Sequence, residues 1–125
     1  RLKTFLSGWA AFEILIAKSF KSYEQKFFSL STKAGQPTLQ EHFLARIKDV
    51  MKDKYRLRDK FTAVTAVLFP NIGDAEAKGN YRDFYKLKKL RDSIFHGDPF
   101  SEKDLPVHEM AALLQKYLVA FLITT

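Results

Sequence analysis

Residues 80–97, which read NYRDFYKLKKLRDSIFHG, decide the fold class of this chain because their apolar residues repeat at helical spacing. On an ideal helix each residue advances by about 100°, so these residues form one broad stripe, made of Phe84, Leu87, Leu90, Ile94 and Phe95. Arg91 falls near the middle of that stripe. A guanidinium in an apolar setting needs an anion or a carbonyl as partner, since an unpaired buried charge is costly. The pattern therefore predicts a helix that holds an arginine for a specific role.

The same helical spacing recurs along the rest of the chain and predicts an all-α fold. We expect a long first helix over residues 2–30 and further helices over about 39–52, 55–69 and 105 or 106–124. Strand is a minority alternative for the third of these segments, whose middle is β-branched. Gly, Pro and polar residues predict loops at 31–37, from 70 through Gly79, and at 98–99. The result is a single compact bundle of about five helices.

Length and composition fit one folded domain, residues 1–125, with 46% apolar residues and a net charge of +7. The chain starts at Arg1 inside an amphipathic pattern, so we expect a domain excised from a longer protein. It has no Cys, no uninterrupted apolar run of bilayer length and no signal-peptide pattern. We therefore predict a cytoplasmic protein with no membrane partner. The positive charge favours encounter with polyanions such as RNA.

Several kinds of chemistry are excluded by the residues present. His42, His96 and His108 lie in separate segments without metal-ligand spacing, so no metal site is expected. There is also no Gly-rich phosphate loop, no GxSxG elbow and no Cys nucleophile, and no cofactor is predicted. Acid–base and anion-stabilising chemistry by Arg, His, Asp and Glu remains.

The string RDSIFHG, residues 91–97, places Asp92 directly after the arginine and His96 five positions after it. This pattern resembles the signature of the HEPN superfamily, and the trailing glycine and the Ile-Phe pair are most similar to its Apea-like branch. The segment WAAFEIL, residues 9–15, is similar to the first-helix pattern of that branch, with Glu13 among apolar residues. A purely structural alternative exists, because a histidine followed by glycine also ends many ordinary helices.

The resemblance implies a helical bundle in which two copies of the motif face each other across a homodimer or pseudo-dimer cleft. Many such domains are metal-independent endoribonucleases, and others bind nucleotides or partner proteins without cleavage. On this hypothesis Arg91 stabilises charge on an RNA phosphate, and His96 acts as general base or general acid. Asp92 orients one of these two residues. A toxin–antitoxin or defence setting, with an antitoxin or a flanking domain as a further partner, is also implied.

Residues around the motif are supporting candidates. Glu13 lies within about 40° of the apolar line of the first helix, so it either pairs with Arg91 or reaches water at the edge of the stripe. A basic row on the Arg91 helix is either a solvated face or a set of phosphate contacts that leads to His96. Its members are Arg82, Lys86 and Lys89, with Ser93 continuing the row and Lys88 nearer the apolar side.

Three functions follow from these observations. The preferred one is a metal-independent endoribonuclease that acts on RNA in a dimer cleft and leaves a 2′,3′-cyclic phosphate. The alternative is a non-catalytic HEPN-like module for nucleotide binding, protein interaction or dimerisation. Binding of RNA or DNA through charge alone ranks last, because the sequence shows no basic patch interleaved with aromatic residues.

Overall fold

A computed structural model gives the fold and describes residues 1–31, 57–124 and, between them, residues 42, 45, 46, 49, 50 and 52. The described helices are α1 (Leu2–Ser31), α2 (Leu57–Leu68), α3 (Asp74–Phe95) and α4 (Val107–Thr124), with a short 3-10 helix at Glu102–Asp104. No strand occurs in these ranges, so the all-α prediction is confirmed there and the strand alternative for α2 is wrong. The helix predicted over 39–52 lies largely outside the described residues. The count of about five helices therefore stays a prediction.

A cluster of aromatic rings from all four helices forms the centre of the core. Phe61 of α2 stacks on Phe84 of α3 with ring centroids 4.1 Å apart and planes 6° apart. Phe12 of α1 meets Tyr117 of α4 edge to face at 5.5 Å. All four side chains are almost completely buried. Such pairs add about 0.5–1.5 kcal/mol each beyond area burial, so the cluster fixes where α3 lies relative to the other helices.

Helix α3 begins earlier than the sequence predicts. The loop predicted to run through Gly79 is wrong, since α3 starts at Asp74. Asp74 and Glu76 occupy its first turn, where negative charge complements the helix dipole. Asn80 is 5% exposed inside the helix, and its Oδ1 accepts a 2.9 Å hydrogen bond from Lys116 Nζ of α4. This contact between α3 and α4 offsets the low helix propensity of the consecutive residues Gly79 and Asn80.

The C-terminal end of α3 is a Schellman motif, as the stop signal in the sequence predicts. His96 is the C-cap, and Gly97 takes φ of 82° in the left-handed region. The backbone N–H of Asp98 donates to the carbonyl of Ser93 at 3.0 Å, and the N–H of Gly97 donates to the carbonyl of Ile94 at 3.0 Å. These bonds hold the His96 backbone in a defined position at the helix end.

The apolar stripe of α3 is buried as predicted except at its last residue. Phe84 and Leu87 are core residues, and Leu90 and Ile94 pack partly against the core. Phe95 is 63% exposed, so its predicted burial is wrong.

Residues Glu102–Thr124, which include α4, are long and apolar enough to cross a membrane by length and composition alone, and only 17% of their most apolar stretch is buried. The sequence expectation of no such segment is therefore too strong. Met110, Leu113 and Tyr117 of this helix are buried in the core, and a single segment of this kind is weak evidence for a membrane span. An apolar face stays exposed, formed by Leu118, Val119, Leu122 and Ile123. The cytoplasmic location stays a prediction.

Candidate functional site at the end of α3

A cavity of about 400 Å³ lies between α1, the start of α2 and the last turns of α3, and we call it the arginine cavity. Its lining residues are Trp9, Glu13, Leu57, Lys88, Arg91, Asp92 and His96. The three residues proposed as catalytic from the sequence thus share one cavity with Glu13. Their convergence needs the packing of α1 against α3, which places Trp9 5.8 Å from the Phe84 ring.

The Arg91 side chain is 29% exposed and is held by residues of its own helix. Its Nη1 donates a 2.8 Å hydrogen bond to Asp92 Oδ1, and its guanidinium carbon lies 4.3 Å from the centroid of the Phe95 ring. Arg91 Nε and Trp9 Nε1 are buried and have no hydrogen-bond partner among the described residues. Both residues line the cavity, but these two donor atoms are themselves enclosed by protein.

Glu13 does not pair with Arg91 in the described part of the chain, although both line the arginine cavity. The side chain is partly buried on α1. The predicted pairing of Glu13 with Arg91 is therefore absent among the residues that the structure describes, and Asp92 is the carboxylate that pairs with the arginine. Glu13 contributes a carboxylate to the lining of the cavity.

Asp92 accepts two charge-assisted hydrogen bonds. Lys88 Nζ donates to Oδ2 at 2.8 Å, and Arg91 Nη1 donates to Oδ1 at 2.8 Å. Partial burial alone would raise the pKa of Asp92, but the hydrogen bonds and positive charges of Lys88 and Arg91 outweigh it and hold the pKa below its ordinary value. Asp92 is therefore an ionised clamp that fixes both cations.

His96 is exposed at the C-cap of α3 and lines two cavities. Its backbone N–H donates to the Asp92 carbonyl at 2.9 Å. No hydrogen bond joins the His96 side chain to Asp92 within residues 57–124, the part of the chain that holds both. Of the two roles expected for Asp92, holding the arginine has a contact in the structure and orienting the histidine has none.

A second cavity of about 400 Å³ shares Lys88, Asp92 and His96 with the first, and we call it the lysine cavity. Its other lining residues are Arg58, Tyr85, Lys89 and Ser93. The candidates Lys88, Lys89 and Ser93 thus lie at the site, while Arg82 and Lys86 are exposed and line neither cavity. Three cationic side chains against one carboxylate make the lysine cavity net positive.

Sequence reasoning missed the aromatic part of this surface. Tyr81 and Tyr85 are 41% and 44% exposed, and their near-parallel rings lie 6.5 Å apart. The guanidinium carbon of Arg58 lies 5.7 Å from the Tyr85 centroid. The expectation that no basic patch is interleaved with aromatic residues is therefore wrong. The four-residue spacing of Tyr81, Tyr85 and Lys89 is visible in the sequence, but the contribution of Arg58 from α2 depends on tertiary packing.

Comparison with known proteins identifies no relative, since no family model, curated protein or solved structure matches the chain. Among the residues that the structure describes, no group of three or more His, Asp or Glu side chains is placed to hold a metal ion. The resemblance to HEPN domains therefore depends on the motif and the helical architecture, and it stays a prediction.

Proposed function

We propose that this chain is a HEPN-like bundle of about five helices that cleaves RNA without a metal ion, with two copies of the Arg91 and His96 pair around one phosphate. The observation that supports this function is the shared cavity that Arg91, Asp92 and His96 line together with Lys88. A purely structural role for the motif does not require its arginine and histidine to border one accessible space.

The chemistry requires one base, one acid and a stabiliser of negative charge. Histidine can exchange a proton near neutral pH, so His96 of one copy takes the proton of a ribose 2′-OH while the 2′-oxygen attacks phosphorus. The bond to the 5′-oxygen breaks, and His96 of the second copy protonates that leaving oxygen. Arg91 donates to the non-bridging oxygens, where a planar guanidinium suits the developing charge. The products are a 2′,3′-cyclic phosphate and a 5′-hydroxyl, and DNA is not cleaved.

Exposed phenylalanines near His96 support a dimer at this end of the molecule. Phe95 is 63% exposed and Phe100 is 40% exposed, and both lie within four residues of His96 in sequence. Contiguous apolar surface rimmed by polar residues marks interaction sites, and the proposed dimer would join these two rings into such a surface. In the proposed homodimer these rings cover each other and bring the two histidines together.

Cleavage is tested with purified protein, a mixed single-stranded RNA pool and EDTA. His96→Ala should lower the rate by about 10²–10⁴ and Arg91→Ala by about 10²–10³. His108→Ala is the matched control, because His108 is also exposed but lies on α4 away from both cavities. Circular dichroism checks that each variant is folded. An inactive wild type at high concentration, or equal loss in the His108 variant, would overturn the nuclease proposal.

The dimer is tested by cross-linking, which is straightforward because the chain has no cysteine. Asp98→Cys adds a thiol beside the proposed interface, and Lys78→Cys adds one at an exposed position near the other end of α3. We expect a disulfide-linked dimer from the first variant only. Light scattering should show a dimer for the wild type, and a strict monomer would contradict the composite cleft.

A non-catalytic nucleotide-binding module is the second candidate, and one observation favours it. Arg91 and Lys88 are already engaged by Asp92, so a phosphate reaches them only by competing with that carboxylate. At such a site a phosphate would replace Asp92 as the partner of the two cations and would bind without being cleaved. Thermal stabilisation by mononucleotides, following RT ln(1 + [L]/Kd), in a protein that leaves RNA intact would favour this function. A flanking domain or an antitoxin remains a proposed partner.

A further inference from the structure

We propose that a single strand of RNA follows the face of α3 from Tyr81 to His96, with bases stacked on Tyr81 and Tyr85 and phosphates near Arg58 and Lys89. This path rests on the proposed function, because it leads the substrate into the same site. It assigns a role to the lysine cavity and to the tyrosine pair, which the cleavage step itself does not use.

The two tyrosines provide a stacking surface. Their rings are near-parallel at 12°, and more than two fifths of each side chain is exposed although both are large and aromatic. Arg58 lies over the Tyr85 ring at 5.7 Å, which adds a cation beside an aromatic face. Single-strand binding surfaces combine these two elements, because every base has a π-face and every nucleotide carries a phosphate.

The charge along the path suits a polyanion. Arg58, Lys88 and Lys89 line the lysine cavity, and Asp92 is the carboxylate that faces them. Asp92 is itself neutralised by its bond to Lys88 at 2.8 Å. The remaining positive charge lies between the tyrosines and His96, where phosphates of a bound strand would pass.

The path is also continuous with the candidate site. Positions 81, 85, 89 and 93 are four residues apart and form one row on α3, and Ser93 and His96 line the same cavity as Tyr85. At a rise of about 1.5 Å per residue the row is about 18 Å long, and His96 lies about 4–5 Å further along the helix axis. A strand on this row therefore reaches His96 without crossing the apolar core.

The competing explanation is that the tyrosine pair only stabilises the helix, as aromatic pairs four residues apart can. The test is fluorescence anisotropy of a fluorescein-labelled 12-nucleotide single-stranded RNA, with every variant made in a His96→Ala background so that the probe stays intact. Tyr85→Ala should weaken binding by about fivefold or more, because stacking contributes about 1–3 kcal/mol per base. Tyr85→Phe keeps the ring and should bind within about twofold of the parent.

A second pair of variants separates the path from net charge. Arg58→Ala and Lys78→Ala remove the same charge, but Lys78 lies outside both cavities and pairs with Asp74. Only the Arg58 change should weaken binding of the single strand. A duplex of the same sequence should bind less tightly than the single strand, since its bases are not free to stack.

The outcomes separate the path from the nuclease. If the wild type cleaves RNA and Tyr85→Ala leaves both KM and single-strand affinity unchanged, the path is wrong and the nuclease stands. If RNA binding depends on Tyr85 while the wild type never cleaves, the path stands and the nuclease is wrong. Equal losses for Tyr85→Ala and Tyr85→Phe, or for Arg58→Ala and Lys78→Ala, would also overturn the path.

Discussion

Replacing Asp92 by asparagine keeps the shape of the side chain but removes the charge that holds Lys88 and Arg91. In the wild type each cation donates a 2.8 Å hydrogen bond to one carboxylate oxygen. The amide that replaces the carboxylate still has one oxygen that accepts a hydrogen bond, but it presents no charge to either cation. The substitution therefore removes the negative charge and one of the two hydrogen bonds, because an amide nitrogen replaces one accepting oxygen.

The expected loss of stability follows from how exposed the three groups are. Lys88, Arg91 and Asp92 are 32%, 29% and 33% exposed, so each pair is partly screened by solvent. Partly exposed ion pairs contribute about 0.2–1 kcal/mol each. Against this, a carboxylate in the last turns of a helix is disfavoured by the dipole by about 0.3–1 kcal/mol. These two terms leave about 0.5 kcal/mol, and the hydrogen bond that the amide nitrogen no longer accepts adds about 0.5 kcal/mol more. We therefore expect a loss of about 1 kcal/mol at pH 7, which is a fall in Tm of about 3–5 °C for a domain of this size.

The pH dependence has a defined sign. Because the folded-state pKa of Asp92 is lowered, its stabilisation is present above the ordinary aspartate pKa of about 4 and is lost as the pH falls through the folded value. The difference between wild type and Asp92→Asn should therefore be full at pH 5 to 7 and should shrink below about pH 4. Urea unfolding followed by circular dichroism at several pH values measures it.

Asp83→Asn is the matched control, since Asp83 is an exposed aspartate on the same helix that lines neither cavity. Its substitution should change stability by less than about 0.5 kcal/mol at every pH. If the two variants lose equal stability, or if the Asp92 difference persists unchanged at pH 3, the carboxylate does not clamp the two cations.

Three further predictions test the fold. Gly97→Ala should lower the free energy of unfolding by about 1 kcal/mol, because residue 97 has φ of 82°, which is strained for alanine. The loss should appear as a lower urea midpoint. Gly8→Ala should lower the free energy of unfolding by about 1–2 kcal/mol, because the added Cβ would lie 2.9 Å from Met110 Cγ. Gly79→Ala should raise it by about 0.5–1 kcal/mol, because the added Cβ meets nothing closer than 3.8 Å. If the Tm of both variants shifted in the same direction, this description of the packing would be wrong. Tyr117→Phe should cost about 1 kcal/mol at pH 7 by removing a 2.7 Å hydrogen bond to a threonine hydroxyl. Burial raises the pKa of Tyr117 to about 12, so urea unfolding should show the wild type losing more stability than this variant between pH 10 and 12, because the unfolded phenol ionises first.

Features encoded locally could be predicted from the sequence. The apolar spacing of α1, α2 and α4 places these helices within about two residues of their observed bounds. The end of α3 is also local, because Gly97 supplies the left-handed residue that the Schellman motif requires. Arg91 and His96 border one cavity, as the resemblance of residues 91–97 to the HEPN motif implies, but that cavity also requires α1.

Features that depend on contacts between helices could not be predicted in this way. Asn80 lies inside α3 because Lys116 of α4 bonds its side chain, and no local pattern shows that contact. Arg91 pairs with Asp92 although adjacent residues on a helix point in different directions. The length of the arginine side chain makes this bond possible, and it leaves Glu13 without the partner that the stripe suggested. The association of Arg58 with Tyr85 also requires α2 and α3 to be packed.

The distribution of charge between the two cavities determines the side from which a phosphate would enter the proposed site. In the arginine cavity the carboxylates of Glu13 and Asp92 oppose Lys88 and Arg91, so an incoming phosphate finds no excess positive charge there. The lysine cavity does have an excess, and it shares His96 and Asp92 with the first. A phosphate should therefore approach His96 from the lysine side and reach Arg91 only by displacing it from Asp92. Because Asp92 engages Arg91 in each copy of the proposed dimer, the guanidinium that stabilises the transition state would have to be released from Asp92 by substrate binding.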